Sequence, residues 1–147
     1  GHAEEREPEY GYNIAIDRIQ SKPRERSMVE YVPAPKHFYD DFFKDIVGVS
    51  HVKDAKKEHI VIRAHSLYIY KLIDTKPLHR SYAMVKPYAQ YDDGEYAEFS
   101  VDIEPNNEFY GRILQMGAGL EIISPNYIRD TIAQRVHDLA CLYPQNE

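Results

Sequence analysis

The residues with the clearest chemical potential are an arginine and a histidine on one predicted strand. Arg63 and His65 stand two positions apart, and side chains two apart in a strand lie on the same side of a sheet. Neighbouring strands are predicted to add polar side chains to that open side: Glu98, Ser100, Asp102 and Glu121. Arg63 and His65 are therefore candidate effector-binding residues, although the carboxylates favour a second interpretation, cross-strand ion pairs. An RNA-binding sheet of this kind would display aromatic rings instead.

A metal site or a catalytic centre would need further residues that the sequence does not offer. His137 and Cys141 stand four apart on a predicted helix, a spacing that suits two metal ligands, but no other tight His or Cys pair completes a site. We expect Cys141 to be a small buried side chain and His137 an exposed one. The Gly117-Ala118-Gly119 run lacks the Lys and Ser/Thr of a phosphate-binding loop. We expect no catalysis, no cofactor and no metal.

Composition limits the class of protein. The chain has 147 residues, a net charge of −6 and a single cysteine. The acidic balance argues against a basic nucleic-acid-binding module as a whole, and one cysteine excludes an intrachain disulfide. No run approaches the roughly 20 apolar residues of a membrane span, and the polar N-terminus has no apolar signal segment. We expect a cytoplasmic protein without membrane association.

The elements that position these side chains follow a regular order from His59 onward. Strands are predicted by period-2 alternation at 59–65, 81–86, 96–103 and 120–123. Helices are predicted after three N-terminal signals: Ser66, Asn106 or Asn107, and Ser124 as N-cap with Pro125 in the first turn. Asp92-Asp93-Gly94 predicts a hairpin turn. The order β-α-β-β-α-β followed by a helix is that of a ferredoxin-like split βαβ unit, with helices on one face of an antiparallel sheet.

Two adjacent residues of the third strand carry the sharpest packing expectation. Phe99 is predicted to face the helices and Glu98 the open side. Phe99→Ala then costs about 3–5 kcal/mol of stability, whereas Glu98→Ala costs less than about 1 kcal/mol if the open side is wet. The final helix carries an apolar stripe to be buried: Ile128, Ile132, Val136, Leu139 and Tyr143.

Several separated segments resemble WYL-domain transcriptional regulators. The C-terminal extension of that family ends in a helix, a strand, a Ser-Pro or Glu-Pro step and a helix closing on Leu-Tyr. The matching residues here are Ile113 to Gly117, Leu120 to Pro125, Ile128-Arg129, Ile132 and Leu142-Tyr143. Upstream, the run Phe43 to Val49 resembles the family's aromatic-Lys-Asp-Ile-Val-Gly-Val core, and Asp17-Arg18-Ile19 resembles the end of the last strand of a WYL barrel. Arg112 departs from the tryptophan that many members carry there.

The resemblance implies three parts. Residues 1–36 are a tail, the last strand of a truncated WYL barrel and a connector; residues 37–57 are a helical linker segment; residues 58–147 are the ferredoxin-like extension. The expected class is α+β: a ferredoxin-like βαββαβ sandwich with an extra C-terminal helix, preceded by a detached strand of the Sm-like barrel. The Trp-Tyr-Leu motif that names the family is missing, so we expect a piece of a longer protein, cut inside that barrel.

The resemblance also implies a function. In bacterial WYL regulators an N-terminal winged helix binds DNA, the barrel senses an effector, and the extension dimerises or relays. This chain would then be a homo-oligomeric dimerisation and relay region that neither binds DNA nor catalyses, while the full-length protein binds DNA through a winged helix that this chain lacks. Arg18 lies where the barrel is thought to take a nucleic-acid or other anionic effector, and a structural Asp17–Arg18 role is the alternative. A second class of function stays open: a ferredoxin-like dimer that senses an amino acid or a nucleotide.

Overall fold

The computed structural model describes residues 43–48 and 51–145, together with the single residues Gln20, Pro33 and His37. Two compact units divide the chain, Gly1–Lys36 and His37–Glu147. Almost all of the described residues belong to the second unit, and the elements and contacts below are those of this unit alone. The predicted barrel strand at 12–19 and Arg18 lie outside the described residues.

Strands and helices alternate along the second unit in the predicted order. They are β1 (Glu58–Ala64), α1 (Leu67–Thr75), β2 (Ala83–Tyr91), β3 (Gly94–Ile103), α2 (Asn107–Gln115), β4 (Leu120–Ser124) and α3 (Asn126–Leu142). The strands form one antiparallel sheet in the order β2-β3-β1-β4. This is the ferredoxin-like α+β arrangement followed by an extra helix, and the predicted fold class is confirmed.

The core lies between one face of the sheet and the three helices. Strand alternation turns the apolar residues of the two central strands to this face: Ile60, Ile62 and Ala64 of β1, and Ala97, Phe99, Val101 and Ile103 of β3. The helices contribute Ile73, Phe109, Tyr110, Ile113 and Ile128. Phe99 pairs with Ile62 in the sheet register, and its ring centroid lies 5.3 Å from that of Tyr82. The inward direction predicted for Phe99 is thus confirmed.

The first two helices begin at the predicted caps. The hydroxyl of Ser66 accepts a hydrogen bond from the Ile69 N–H at 3.2 Å, and the side-chain oxygen of Asn106 accepts one from the Phe109 N–H at 2.9 Å. Of the two asparagines offered by the sequence, Asn106 is therefore the cap. Gly117 follows α2 with a positive φ of 54°, as expected of a residue that ends a helix.

The start of α3 differs from the prediction by one residue. Ser124 is the last residue of β4, and Pro125 is the N-cap without a side-chain hydrogen bond. The Pro125 carbonyl accepts the first hydrogen bonds of the helix, from the N–H groups of Ile128 and Arg129, both at 3.2 Å. The helix therefore begins after Pro125. The proposed serine cap is wrong.

The hairpin between β2 and β3 is longer than predicted. Strand β2 runs past Lys86 to Tyr91, and Tyr91 pairs with Gly94 across the two-residue loop of Asp92 and Asp93. Pro87 interrupts the alternation in the sequence, which is why the prediction stopped at Lys86. The register shifts on both sides of Lys86 absorb that irregularity at the edge of the sheet.

The segment at 43–48 is packed onto the sheet unit. Ile46 and Val47 are buried, and Val47 belongs to the core. The Asp45 carbonyl accepts a hydrogen bond from the Glu104 N–H at 2.7 Å, and the Val47 carbonyl accepts one from the Asn106 side chain at 2.9 Å. Among the described residues of the predicted helical linker segment at 37–57, only Phe43 is helical.

Candidate functional site

The open face of the sheet, opposite the helices, is organised around Arg63 on β1. Its Nε and NH2 groups donate to Oε1 of Glu98 on β3 at 3.1 and 2.8 Å, and its NH1 group donates to Oδ2 of Asp93 at 3.2 Å. The guanidinium carbon lies 3.7 Å from the ring centroid of Tyr96. Three nitrogens and the planar face of Arg63 are therefore occupied within the chain.

Aromatic rings and a lysine complete this cluster. Tyr91 stacks on Tyr96 with a centroid separation of 4.7 Å. Nζ of Lys86 lies 3.5 Å from Oε2 of Glu98 and 3.4 Å from the Tyr96 hydroxyl. Two cations thus face one carboxylate group, and Asp93 balances the second charge. The cluster is close to neutral, which leaves little attraction for a charged ligand.

The pKa directions follow from these contacts. The Tyr96 hydroxyl donates to Oδ1 of Asp93 at 2.7 Å, and this hydrogen bond lowers the pKa of the Asp93 carboxyl and raises the pKa of the Tyr96 phenol. The hydrogen bond to Tyr96 likewise raises the pKa of the Lys86 ammonium. Each group is therefore held in its ordinary charge state near neutral pH.

His65 takes part in a second, separate group at the β4 side of the same face. Its Nε2 lies 2.8 Å from Oε2 of Glu121, whose Oε1 accepts a hydrogen bond from NH1 of Arg129 at 2.9 Å. Burial acts to raise the pKa of Glu121, but the hydrogen bonds from His65 and Arg129 outweigh it, and the pKa lies below its ordinary value.

The two predicted effector-binding residues of the sheet thus share a face but not a partner. Arg63 turns to Glu98 on β3, and His65 turns to Glu121 on β4. Cross-strand ion pairing, the alternative that the sequence favoured, is what this geometry shows. Arg63 and His65 stay candidate effector contacts, and Arg18 lies outside the described residues.

The assumption that the open side of the sheet is wet is wrong for two of its residues. Glu98 is 5% exposed and Ser100 is 4% exposed within the single chain. Arg63 lies beside Glu98 on one neighbouring strand and Lys86 lies beside it on the other, so their side chains cover the carboxylate. Long basic side chains can bury a neighbour in this way while their charged ends stay near water.

The histidine and cysteine on α3 form no metal centre with other described residues. Sγ of Cys141 lies 3.7 Å from Nε2 of His137. Within residues 43–48 and 51–145 and the three single described positions, no group of three His, Cys, Asp or Glu side chains is arranged to hold a metal ion. Cys141 is exposed, so its predicted burial is wrong. None of the described helices is long and apolar enough to span a membrane.

Comparison with known families matches most of the sheet unit. The family model of the WCX domain matches residues 59–140, which run from β1 nearly to the end of α3. The chain belongs to the WCX domain family. The resemblance to the C-terminal extension of WYL regulators is thereby confirmed for these residues. No curated protein matches the chain.

Helix α3 of the WCX domain buries only the first part of its predicted apolar stripe. Ile128 is fully buried, and Ile132 packs against the core. The later apolar residues are exposed: Val136 at 48%, Leu139 at 51%, Leu142 at 74% and Tyr143 at 75%. The prediction of a fully buried stripe is wrong because α3, with 17 residues, is much longer than the five-residue strand β4 beside it.

A cleft on the helical side of the WCX domain was not predicted. It has a volume of about 560 Å³ and lies between the segment before β1 and the starts of α2 and α3. Its polar lining includes Lys56, Glu58, Asn107, Tyr127 and Arg135. Partial burial and a hydrogen bond to Glu58 raise the pKa of Tyr127 to about 12. The sequence indicates only that Tyr127 and Arg135 lie on one helix. It does not show that α2 and the segment before β1 line the same cleft.

Proposed function

We propose that this WCX domain is the dimerisation and effector-relay region of a bacterial WYL-family transcriptional regulator, and that it neither binds DNA nor catalyses a reaction. The family match supports the regulator context. A reducing cytoplasm is where such a protein would work, and the exposed thiol of Cys141 is compatible with it. The closed ion pairs of the sheet face, which occupy Arg63 and His65, suit a scaffold better than a catalytic centre.

One observation supports the dimerisation part: the outer half of α3 is apolar on one side, and that side is largely exposed in the described part of the chain. Residues 136–145 are all exposed. A helical segment of this length is marginal in water by its own hydrogen bonds. Val136, Leu139 and Tyr143 recur at three- and four-residue steps, which is the spacing of a helix face that packs against another helix.

A second copy of the same chain is the partner that fits this face. Two α3 helices packed antiparallel about a two-fold axis would bring the same stripe against itself, as an isologous interface requires. Asp138 is the only carboxylate from position 131 to 145, and it lies on another side of the helix, where Gln134 donates to it at 2.8 Å. The stripe therefore brings no like charges together.

Sedimentation velocity on the complete chain tests this proposal. Leu139→Glu places a charge in the middle of the stripe, and we expect it to convert a dimer at micromolar concentration to a monomer. Gln134→Glu adds the same charge on the opposite side of α3 and serves as the matched control, with the dimer retained. A wild-type chain that stays monomeric at high micromolar concentration, or equal effects of the two variants, would contradict the proposal.

The charge of the chain supports the proposal that it does not bind DNA. The chain carries a net charge of −6, and α3 has only Arg129 and Arg135 as cations, with Asp130 and Asp138 against them. So few positive groups release few counterions from a duplex. We expect no submicromolar binding of any duplex at moderate salt, and a gel-shift assay that detects it would overturn this part.

A further inference from the structure

The cleft between the 52–58 segment and the helices α2 and α3, which we call the α2–α3 cleft, contains an arginine, Arg135, that forms no ion pair with a described carboxylate. Its polar and aromatic lining includes Asp54, Lys56, Glu58, Asn107, Tyr110, Tyr127 and Arg135. The volume, about 560 Å³, falls within the range of small-molecule sites. Charged side chains inside such a cleft therefore interact more strongly with a bound ligand than charged side chains on a convex surface.

Arg135 is held in a fixed orientation without losing its charge. Its NH2 group donates to the side-chain oxygen of Asn107 at 2.9 Å, and its guanidinium carbon lies 4.5 Å from the ring centroid of Tyr110. A guanidinium has five N–H donors, and among the described residues only this one hydrogen bond uses them. Four donors stay available to a ligand in a group that is already positioned by a neutral amide and a ring.

Several other basic residues, unlike Arg135, form ion pairs with carboxylates. Arg63 is paired with Glu98, Arg129 with Glu121, and Lys57 with Asp45 at 2.7 Å. Lys56, the neighbour of Lys57, lines the cleft and forms no ion pair with a described residue. An arginine without a described counter-ion in a concave space is suited to an anion, whereas the arginines of the sheet face are paired with carboxylates.

The acidic residues of the cleft lie apart from Arg135. Glu58 is engaged by the Tyr127 hydroxyl at the first turn of α3. Arg135 is eight residues further along the same helix, which corresponds to about 12 Å of helix axis. Asp54 is in an exposed turn. Glu58 and the half-exposed ring of Tyr127 thus lie at one end of the cleft, and Arg135 lies further along α3.

We propose that the α2–α3 cleft binds a small phosphate ester, with the phosphate at Arg135 and the organic part along the cleft towards the ring of Tyr127. The planar donors of Arg135 match two phosphate oxygens. The length of the cleft along α3 leaves room for a group beyond the phosphate. This site goes beyond the proposed dimerisation and lies on a part of α3 other than the exposed stripe.

Calorimetric titration of the complete chain with adenosine monophosphate, inorganic phosphate and adenosine tests the site. We expect saturable binding of the nucleotide, weaker binding of phosphate and no binding of adenosine. Arg135→Gln should weaken the nucleotide at least tenfold, while Arg135→Lys, which keeps the charge but loses the planar donors, should lie between. Arg112→Gln on α2 removes the same charge at an exposed position outside the cleft and should leave the affinity unchanged.

Thermal unfolding of each variant separates loss of binding from loss of fold, since Arg135 also contacts Asn107 and Tyr110. A folded Arg135→Gln chain that binds the nucleotide as tightly as the wild type would overturn the site. Equal weakening by Arg112→Gln would overturn it as well, because the effect would then be one of net charge. Phosphate that binds more tightly than the nucleotide would overturn the ester and leave only an inorganic anion.

Discussion

Glu98 shows how far the surroundings of one residue can depart from its position in a strand. It stands on the open face, as its alternation with Phe99 predicts, yet it is 5% exposed. Its carboxylate is bound by Arg63 on one neighbouring strand and lies near Lys86 on the other. Period-2 alternation specifies the side of the sheet on which a residue lies, but the length of its neighbours' side chains decides whether water reaches it.

Glu98→Ala should therefore be strongly destabilising, in contrast to the small cost predicted from the sequence. The variant leaves the Arg63 guanidinium, whose side chain is 17% exposed, without its principal partner. Breaking a buried ion pair by removing one partner costs several kcal/mol, and we expect about 2–4 kcal/mol here because Arg63 keeps some contact with water. Urea denaturation of the wild type and the variant measures the difference.

Glu95→Ala is the matched control, since Glu95 is an exposed carboxylate of the same strand and has no described ion pair. We expect its cost to stay within about 0.5 kcal/mol. Phe99→Ala keeps its predicted cost of about 3–5 kcal/mol. Adjacent positions 98 and 99 thus no longer give opposite outcomes, and equal stabilities of the Glu95 and Glu98 variants would show that the Arg63–Glu98 pair is not formed.

Glu121 predicts a pH dependence. Its pKa is lowered below the ordinary 4.5, as hydrogen bonds from His65 and Arg129 outweigh the effect of burial. A carboxyl whose folded-state pKa is depressed stabilises the fold above its unfolded pKa and loses that contribution as the pH falls through the folded pKa. Glu121→Gln should cost up to about 1 kcal/mol at pH 7, because the side chain is one third exposed.

The comparison of wild type with Glu121→Gln across pH isolates this group from other titrations. We expect the difference in unfolding free energy to shrink as the pH falls below 4.5, the ordinary value. Glu95→Gln should show no such trend. A difference that grows on acidification would mean that the pKa of Glu121 is raised and that its ion pairs are absent.

At the scale of elements, the sequence specified most of what local chemistry decides. The caps at Ser66 and Asn106 have the side chains that such positions favour, and the loop of Asp92 and Asp93 has the residues of a tight hairpin. The prediction from sequence failed where pairing between strands determines the ends of an element. Strand β2 continues through Pro87 because β3 offers it partners, and Ser124 joins β4 because β1 pairs with it.

Two glycines should respond in opposite directions to the same substitution. Gly48 has a φ of 75°, and a Cβ there would lie 2.9 Å from Cγ of Glu108 in α2. Gly111 lies inside α2, and beyond its chain neighbours and the adjacent helix backbone no heavy atom lies within 4 Å of the position of a Cβ. Gly48→Ala should cost about 1–2 kcal/mol, mainly from the left-handed backbone, and Gly111→Ala should gain up to about 1 kcal/mol through helix propensity.

Thermal unfolding of the two single variants measures both effects. Gly111→Ala is also the control, since it adds the same methyl group to the same unit. A Gly48→Ala chain as stable as the wild type would mean that the 43–48 segment detaches from the sheet unit at little cost. Its match to the aromatic-Lys-Asp-Ile-Val-Gly-Val run of the family would then have no structural role in holding Val47 in the core.

At the scale of the whole molecule, the features that point to function are those that the sequence could not predict. The α2–α3 cleft joins Lys56, Asn107 and Arg135, which come from three elements far apart in the chain. The free half of α3 results from a difference in length between a helix and its neighbouring strand. Periodicity describes each element separately, so no single segment of the sequence predicts the cleft or the exposed second half of α3.

If the exposed second half of α3 pairs with a second copy of the chain, the stability of the protein depends on its concentration. A dimer that dissociates on unfolding gains stability with concentration by mass action. For a folded unit of roughly 100 residues, we expect the unfolding temperature of the wild type to rise by about 3–4 °C per tenfold increase in concentration above the dissociation constant. Leu139→Glu should remove this dependence, whereas Gln134→Glu should keep it. Differential scanning calorimetry over two decades of concentration gives the slopes. A wild-type slope of zero would mean that unfolding does not dissociate a dimer. The exposed stripe of Val136, Leu139 and Tyr143 would then not be an interface with a second copy of this chain.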